Sequence, residues 1–357
     1  MFSITFLATL PELYLYPWYL IKIKPSGEAE IEKIVSEVSQ LNDTYEKLEK
    51  IVKWEVEDFL YVYKVAPDYP LDILPNLTSK LFNKSYWRHG VYISNTNPKY
   101  RIRAVNSLFS NDPYWIAYYK VGGCGELAHL FVEVCNRAGI EARVVGTRGE
   151  DHFWAEVKID GEWKHADPTV YYWSVRGNEQ QKSYYSGKWF DNPKGYEESG
   201  NIGWFSKIGI SRVIVTDRAG NEVEDVTVKY TDVGTVNVTS KATISRVIIL
   251  TWKGEHQTIA GVIKDVNSNA LEIKLGGKNY TLIVEQDTIP WLIVKRDSKN
   301  VTVLEGRYIN LEFEPQSFAP TDILIFISVV TLSIIGGIVV VSGIRVVYAS
   351  IKKKERQ

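Results

Sequence analysis

A thiol, an imidazole and a carboxylate follow one another within one stretch of this chain. Cys124 lies in Gly122-Gly123-Cys124-Gly125-Glu126, His152 in Asp151-His152-Phe153-Trp154, and Asp167 in His165-Ala166-Asp167-Pro168. These are the residue types of a nucleophile, its base and the group that orients the base. Brought together, they would cleave a carboxamide through an acyl-enzyme: the sulfur attacks the carbonyl carbon, and the imidazole takes and returns the proton.

The elements that would position them are legible in the surrounding residues. Gly122-Gly123 frees the backbone for a tight entry into a helix, and Gly139 closes it. Between them Leu127, Leu130, Phe131, Val134, Cys135 and Ala138 form one apolar stripe, and Cys124 falls on it. The thiol therefore sits at the positive end of the helix dipole, a place that favours thiolate, beside backbone N–H groups suited to an oxyanion. Cys135, in mid-helix on the same stripe, reads as inert filling. Residues Ile140 to Thr147 read as a strand. Phe153 to Ile159 and Glu162 to Ala166 read as a hairpin about Asp160-Gly161. A two-residue loop sets Glu156 opposite His165, Trp154 opposite Asp167 and His152 opposite Thr169. His152 and Asp167 then project from one face as diagonal neighbours, and a slip of one residue would separate them.

His165 shares that face and is the rival base, but it stands further from the end where Cys124 docks, so His152 is preferred. His129 falls off the apolar stripe, and His89 and His256 have no partners in sequence, so solvent or local hydrogen bonding is expected for all three. Trp115, Gly125, Glu126 and Trp154 are the candidates for touching substrate or holding the oxyanion. No pair of His or Cys has zinc-ligand spacing and no phosphate-binding glycine motif occurs, so neither metal nor cofactor is expected.

The segments Gly122 to Ala128, Arg137 to Arg143, Asp151 to Val157 and Trp163 to Pro168 together resemble the transglutaminase-like superfamily, with its papain-like cysteine fold. They are most similar to peptide N-glycanases. The resemblance implies an α+β catalytic domain in which a helix carrying Cys124 as nucleophile packs on an antiparallel sheet carrying His152 as base and Asp167 as its orienter. It also implies an amidase acting on glycopeptides, with a cysteine protease or a protein-crosslinking transglutaminase as alternatives. Peptide N-glycanases carry a zinc site of paired cysteines upstream of the nucleophile, which two cysteines cannot supply. They also have Arg and Trp where this chain has Gly123 and Leu127. The rival of another class is a non-catalytic surface-binding protein, which has no need of all three residues.

Around this stretch the 357 residues divide by character. Residues 1–25 are an apolar N-terminal segment, read either as an export signal with a shortened start or as an arm packed on the domain. Residues 26–205 form the catalytic domain, opening with one long amphipathic helix through Ile31, Ile34, Val38, Leu41, Tyr45, Leu48 and Ile51. Residues 206–316 carry short apolar runs separated by turns, expected as an all-β sandwich-like domain acting as a stalk or a substrate-binding module. Within residues 322–344, Ile323 to Ile344 carry no charge, and as a helix would span about 33 Å, enough to cross a bilayer. The tail, 345–357, holds Arg345, Lys352, Lys353, Lys354 and Arg356, which by the positive-inside rule faces the cytoplasm. The expectation is a single-pass cell-membrane protein with its catalytic domain outside. Asn-x-Ser/Thr sequons at Asn42, Asn76, Asn83, Asn237, Asn279 and Asn300 agree with export. A net charge of -1, with no basic run interleaved with aromatics in the folded part, leaves nothing to attract nucleic acid. In one helix Cys124 and Cys135 would stand about 16 Å apart, too far for a disulfide.

Overall fold

The computed structural model describes residues 17, 19–65, 91–94, 101–103, 111–179, 182, 189, 209–218, 220–253, 255–289 and 293–318. The apolar runs Phe2 to Leu10 and Ile323 to Ile344, and His89, lie outside them. Among the described residues no helix is long and apolar enough to cross a membrane. The chain divides into two compact units, Met1–Val233 and Gly234–Gln357.

The first unit opens with a π-helical turn, Tyr19–Ile23, that runs into α1 (Lys24–Ser39); α2 (Thr44–Asp58) follows. The single long helix expected here is thus two. The break comes at Asp43, whose side chain accepts the Glu46 N–H at 2.9 Å and starts a fresh helix. Periodicity runs across the break because both helices face one core: Ile31, Ile34, Val38, Leu48 and Ile51 are all buried in a single cluster. Each such side chain contributes roughly 1.5–3 kcal/mol. Then come β1 (Leu60–Val65), β2 (Val91–Ser94), β3 (Arg101–Arg103), α3 (Pro113–Tyr119) and β4 (Val121–Gly122), whose strands form a sheet in the order β3-β2-β1-β4.

The helix α4 (Cys124–Arg137) begins at the nucleophile candidate itself. It ends where Gly139 takes a left-handed φ of 79° and the Ile140 N–H returns to the Cys135 carbonyl. Its stripe is buried as expected, from Leu127 to Cys135. Next are β5 (Ala142–Thr147), β6 (His152–Ile159), β7 (Glu162–Ala166) and α5 (Pro168–Arg176). The β6–β7 hairpin has the register the two-residue turn dictates, with Glu156 opposite His165 and Ala155 opposite Ala166. Thr169 does not pair with His152, because the chain leaves the sheet at Asp167 to enter α5.

The sheet continues beyond the expected domain boundary at residues 205/206. β8 (Ile214–Thr216) pairs with β5, and β9 (Glu222–Asp225) pairs with β8, giving the order β7-β6-β5-β8-β9. A short helix α6 (Thr227–Tyr230) completes the unit. The change of character beyond Ile208 marks strands, but a short apolar run does not encode which sheet it joins.

The second unit is sheet-rich. It comprises β10 (Val233–Lys253), β11 (His256–Gly276), β12 (Asn279–Ile289), β13 (Ile293–Thr302), β14 (Tyr308–Phe313) and β15 (Ser317–Phe318). Strand β10 lies between β11 and β12 and also pairs with β14: Thr235–Ser240 run parallel to β14, while Arg246–Thr251 run antiparallel to β12. The runs Ile259 to Ile263 and Leu271 to Leu275, expected as separate strands, are merged in β11. The chain passes between them through Asp265 and Asn267, both at positive φ. Val236, Val238, Val247, Ile249, Leu275, Leu282 and Phe313 are part of its core.

Candidate active site

Cys124 occupies the first position of α4, after Gly123 in extended conformation. Glu126 accepts the Gly123 N–H at 3.1 Å, the carboxylate half of a capping box. Its side chain thereby fixes the entry to the helix rather than standing free for substrate. The approach of α4 to the sheet depends on Gly146. A Cβ at Gly146 would lie 2.2 Å from the Phe153 ring, and one at Gly125 would lie 3.8 Å from it. Phe153, next to His152, thus lies across Gly146 and reaches the backbone beside Cys124. Backbone close approach of this kind admits only glycine.

His152 and Asp167 meet as the hairpin register requires. The His152 Nε2 lies 2.7 Å from Asp167 Oδ2, and the imidazole side chain is 13% exposed while the carboxylate is fully buried. Cys124 is the second side chain that acts on the imidazole, and it favours the charged form. Asp167 also acts on the backbone, where its Oδ1 accepts the Thr169 N–H at 2.8 Å and the Val170 N–H at 3.3 Å, capping α5. One carboxylate therefore ends the strand, starts the helix and orients the ring. Burial works against the charged imidazole, but the Asp167 carboxylate and then the Cys124 sulfur override it, and the His152 pKa rises from 6.5 to about 10. At neutral pH that describes an imidazolium beside the Cys124 sulfur at the start of α4.

The floor beneath the imidazole is a buried network that sequence reasoning did not anticipate. Trp154, fully buried, stacks on His152 with ring centroids 5.6 Å apart, and its Nε1–H donates to the Tyr230 hydroxyl at 3.0 Å. Tyr230 in turn donates to Glu156 at 2.7 Å. Glu156 also takes Lys229 Nζ at 2.5 Å and the Arg143 guanidinium at 2.7 Å. Burial pushes the Glu156 carboxyl up, yet Lys229, Tyr230 and Arg143 hold it below its ordinary value. Trp154 is therefore packed behind the His152 imidazole with its ring fully buried. A signal existed: Glu156 shares the inward phase of the hairpin with His152 and Trp154, and a carboxylate in that phase announces buried cations.

His165 is fully buried between the rings of Trp154 and Tyr230. Burial lowers its pKa to about 4 against the pull of Asp167 and Glu156, so it is neutral where His152 is charged. His129 is 8% exposed, not solvated as expected. Arg218, between β8 and β9, pairs with Glu133 on α4, and burial followed by the Arg218 charge lowers the His129 pKa to about 4. Trp115 is buried with Tyr19 and Ile23, and its backbone N–H is capped by Asp112 at 2.9 Å. Gly125 stays half-buried beside the thiol. Among the described residues, no three His, Cys, Asp or Glu side chains are grouped to hold a metal ion.

Residues 76–168 match the family model of the transglutaminase-like superfamily, so the chain carries a transglutaminase-like domain of mixed helix and sheet. Curated relatives that match are peptide-N(4)-(N-acetyl-beta-glucosaminyl)asparagine amidases. One, from Oryza sativa subsp. japonica, is 40% identical over 60 residues, 16% of this chain and 13% of that protein. Another, from Eremothecium gossypii, is 41% identical over 59 residues, 16% of this chain and 17% of that protein. The chain thus spans under a fifth of the length of these relatives. Similar solved structures include a candidate cysteine protease from Cytophaga hutchinsonii, with TM-score 0.24, 15% identity, and coverage of 43% of this chain and 41% of that one. Another is described as a TGase, with TM-score 0.28, 15% identity, and coverage of 48% and 40%.

Proposed function

We propose that this protein is a thiol-dependent amide hydrolase working through an acyl-enzyme on Cys124, and that its substrate is a glycopeptide. The observation that carries the reading is the imidazole of His152, held through Nε2 by Asp167 at 2.7 Å and driven toward its charged form by Asp167 and then by Cys124. In the proposed reaction the Cys124 thiolate attacks the carboxamide carbon, and the oxyanion is received by N–H groups at the start of α4. The imidazolium gives its proton to the departing nitrogen as the C–N bond breaks, leaving a thioester. Water then loses a proton to the now neutral imidazole and attacks the thioester. The products are a carboxylic acid, a free amine and the original ion pair.

The glycopeptide substrate is favoured by the similarity to asparagine-linked glycan amidases over about 60 residues, and the family match at residues 76–168 takes in all three site residues. Such a reaction would convert a glycan-bearing Asn into Asp and release a glycosylamine. The same reading takes residues 26–205 and the sheet that extends them as the catalytic domain, and residues 322–344 as a membrane anchor that leaves the domain outside and the basic tail in the cytoplasm.

The full chain incubated with an N-glycosylated peptide and with the same peptide bare separates the possibilities by mass spectrometry. Deglycosylation with Asn converted to Asp, lost in Cys124→Ala, is the expected result. Cleavage of the bare peptide backbone would make it a peptidase, and turnover undiminished in Cys124→Ala would reject this nucleophile.

A further inference from the structure

We propose that Glu150 is a positioning residue for His152, clamped by Ser211 from the segment that leads into β8; the inference rests on the reading of Cys124 and His152 as a reactive pair. Residues 148–151 connect β5 to β6 and deliver His152 opposite Thr147 at the first position of the strand. Asp151, immediately before His152, takes a φ of 60°, a left-handed conformation that Asp adopts in tight turns. Connections of this kind ordinarily lie at the surface. Here Glu150 is fully buried, and one of its oxygens, Oε2, accepts from the Thr147 hydroxyl, from the Ser211 N–H at 3.1 Å and from the Ser211 hydroxyl at 2.8 Å.

Ser211 is 61 positions away in sequence. Its segment continues into Ile214–Thr216, which pair with Val144–Gly146 of β5, so it runs on past the end of β5 alongside the connection. Arg148, at the other side of the connection, donates to the Gly220 carbonyl. Both flanks of the connection are thus tied to residues 209–220, and the Glu150 tie is the buried one. Hydrogen bonds to a carboxylate are stronger and more directional than neutral ones. The Asp151 N–H returns to the Arg148 carbonyl at 3.2 Å, closing the turn that aims His152 at the thiol, and the Glu150 clamp anchors that turn from inside the fold.

The test is the pH dependence of iodoacetamide alkylation of Cys124 in the full chain, read on the Cys124 peptide by mass spectrometry, with circular dichroism to confirm folding. His152→Ala establishes the baseline: a fall of about tenfold or more near pH 6 reports loss of the ion pair. If His152→Ala alkylates like the wild type, the pair itself is absent and the functional reading fails. Given that baseline, Glu150→Ala is expected to lower the rate near pH 6 by about tenfold, equivalent to one unit in the thiol titration. Ser211→Ala, which keeps its backbone N–H, is expected to lower it less, and Glu150→Gln to recover most of the rate. Should Glu150→Ala not fold, Ser211→Ala decides. A merely structural tie would lower the melting temperature and leave the alkylation curve of the folded variants on the wild-type one, and that result overturns the proposal.

Discussion

Cys124 and Cys135 stand on the same stripe of α4, about three turns apart, and both are free thiols. At the first position Cys124 is half-buried beside a charged imidazole. Cys135 is fully buried, and burial, followed by the nearby Glu55 carboxyl, pushes its thiol well above the ordinary range. One helix therefore holds a sulfur beside a charged imidazole and a sulfur that packs like a methyl group. The difference is made by what faces each end: a supported cation at one, hydrocarbon and a buried acid at the other.

The largest effect expected follows from that contrast. Cys124→Ala should abolish turnover of an amide substrate by about 10³-fold or more, whereas Cys135→Ala should leave turnover in place and cost about 1 kcal/mol of stability. Loss of activity in both variants to the same degree would show that the comparison misassigns the thiols. Next comes Asp167, which orients the ring and caps α5. Asp167→Asn keeps the cap but loses the charge on His152, and turnover should fall by about 10²-fold or more. Asp167→Ala should match it in activity while melting lower, by about 1 kcal/mol for the lost cap. An Asn variant as active as the wild type would remove Asp167 from the mechanism.

The histidines divide in the same way, and their titration gives a stability profile that denaturant titrations across pH would measure. His129 and His165, lowered to about 4, are neutral in the folded chain while the unfolded chain takes up protons below 6.5. Their contribution is intact above that value and is lost as pH falls toward 4, about 3 kcal/mol for each at full extent. His152, raised to about 10, acts with the opposite sign: its contribution is present below 6.5 and is lost as pH rises through 10. His152 and other groups change with the opposite sign over part of this range, so the check is made on variants: a wild type that loses no more stability between about pH 7 and pH 5 than a His129→Gln, His165→Gln double variant would contradict the two lowered histidines.

The parts of the site legible in the sequence are those fixed by neighbours along the chain. Asp160-Gly161 sets a two-residue turn with both residues at positive φ, and alternation then puts His152 and Asp167 on one face without reference to anything distant. The stripe of α4 and its closing glycine are local in the same sense. What stayed hidden was pairing across sequence distance. Ser211 on Glu150, Lys229 and Tyr230 on Glu156, and β8 on β5 all depend on a segment whose own residues show only that it can form strands. The break at Asp43 was hidden for another reason, since two helices facing one core keep the periodicity of one.

The smallest effect expected lies at the quiet end of α4. Glu55, on α2, is fully buried, and among the described residues neither of its carboxylate oxygens has a hydrogen-bond partner. Burial raises its pKa well above 4.5, so the folded chain keeps a proton that the unfolded chain has released. Stability from this group is therefore greatest below about 4.5 and declines as pH rises above it. Glu55→Gln keeps the shape and cannot ionise. It should be more stable than the wild type at neutral pH by about 1–2 kcal/mol, with the gain vanishing in acid. Because the imidazole and its supports lie at the other end of the helix, the alkylation curve of Cys124 should not move. If it does move, the two ends of α4 share a conformational equilibrium, and the inert half of the helix becomes part of the machinery that sets the reactivity of the other.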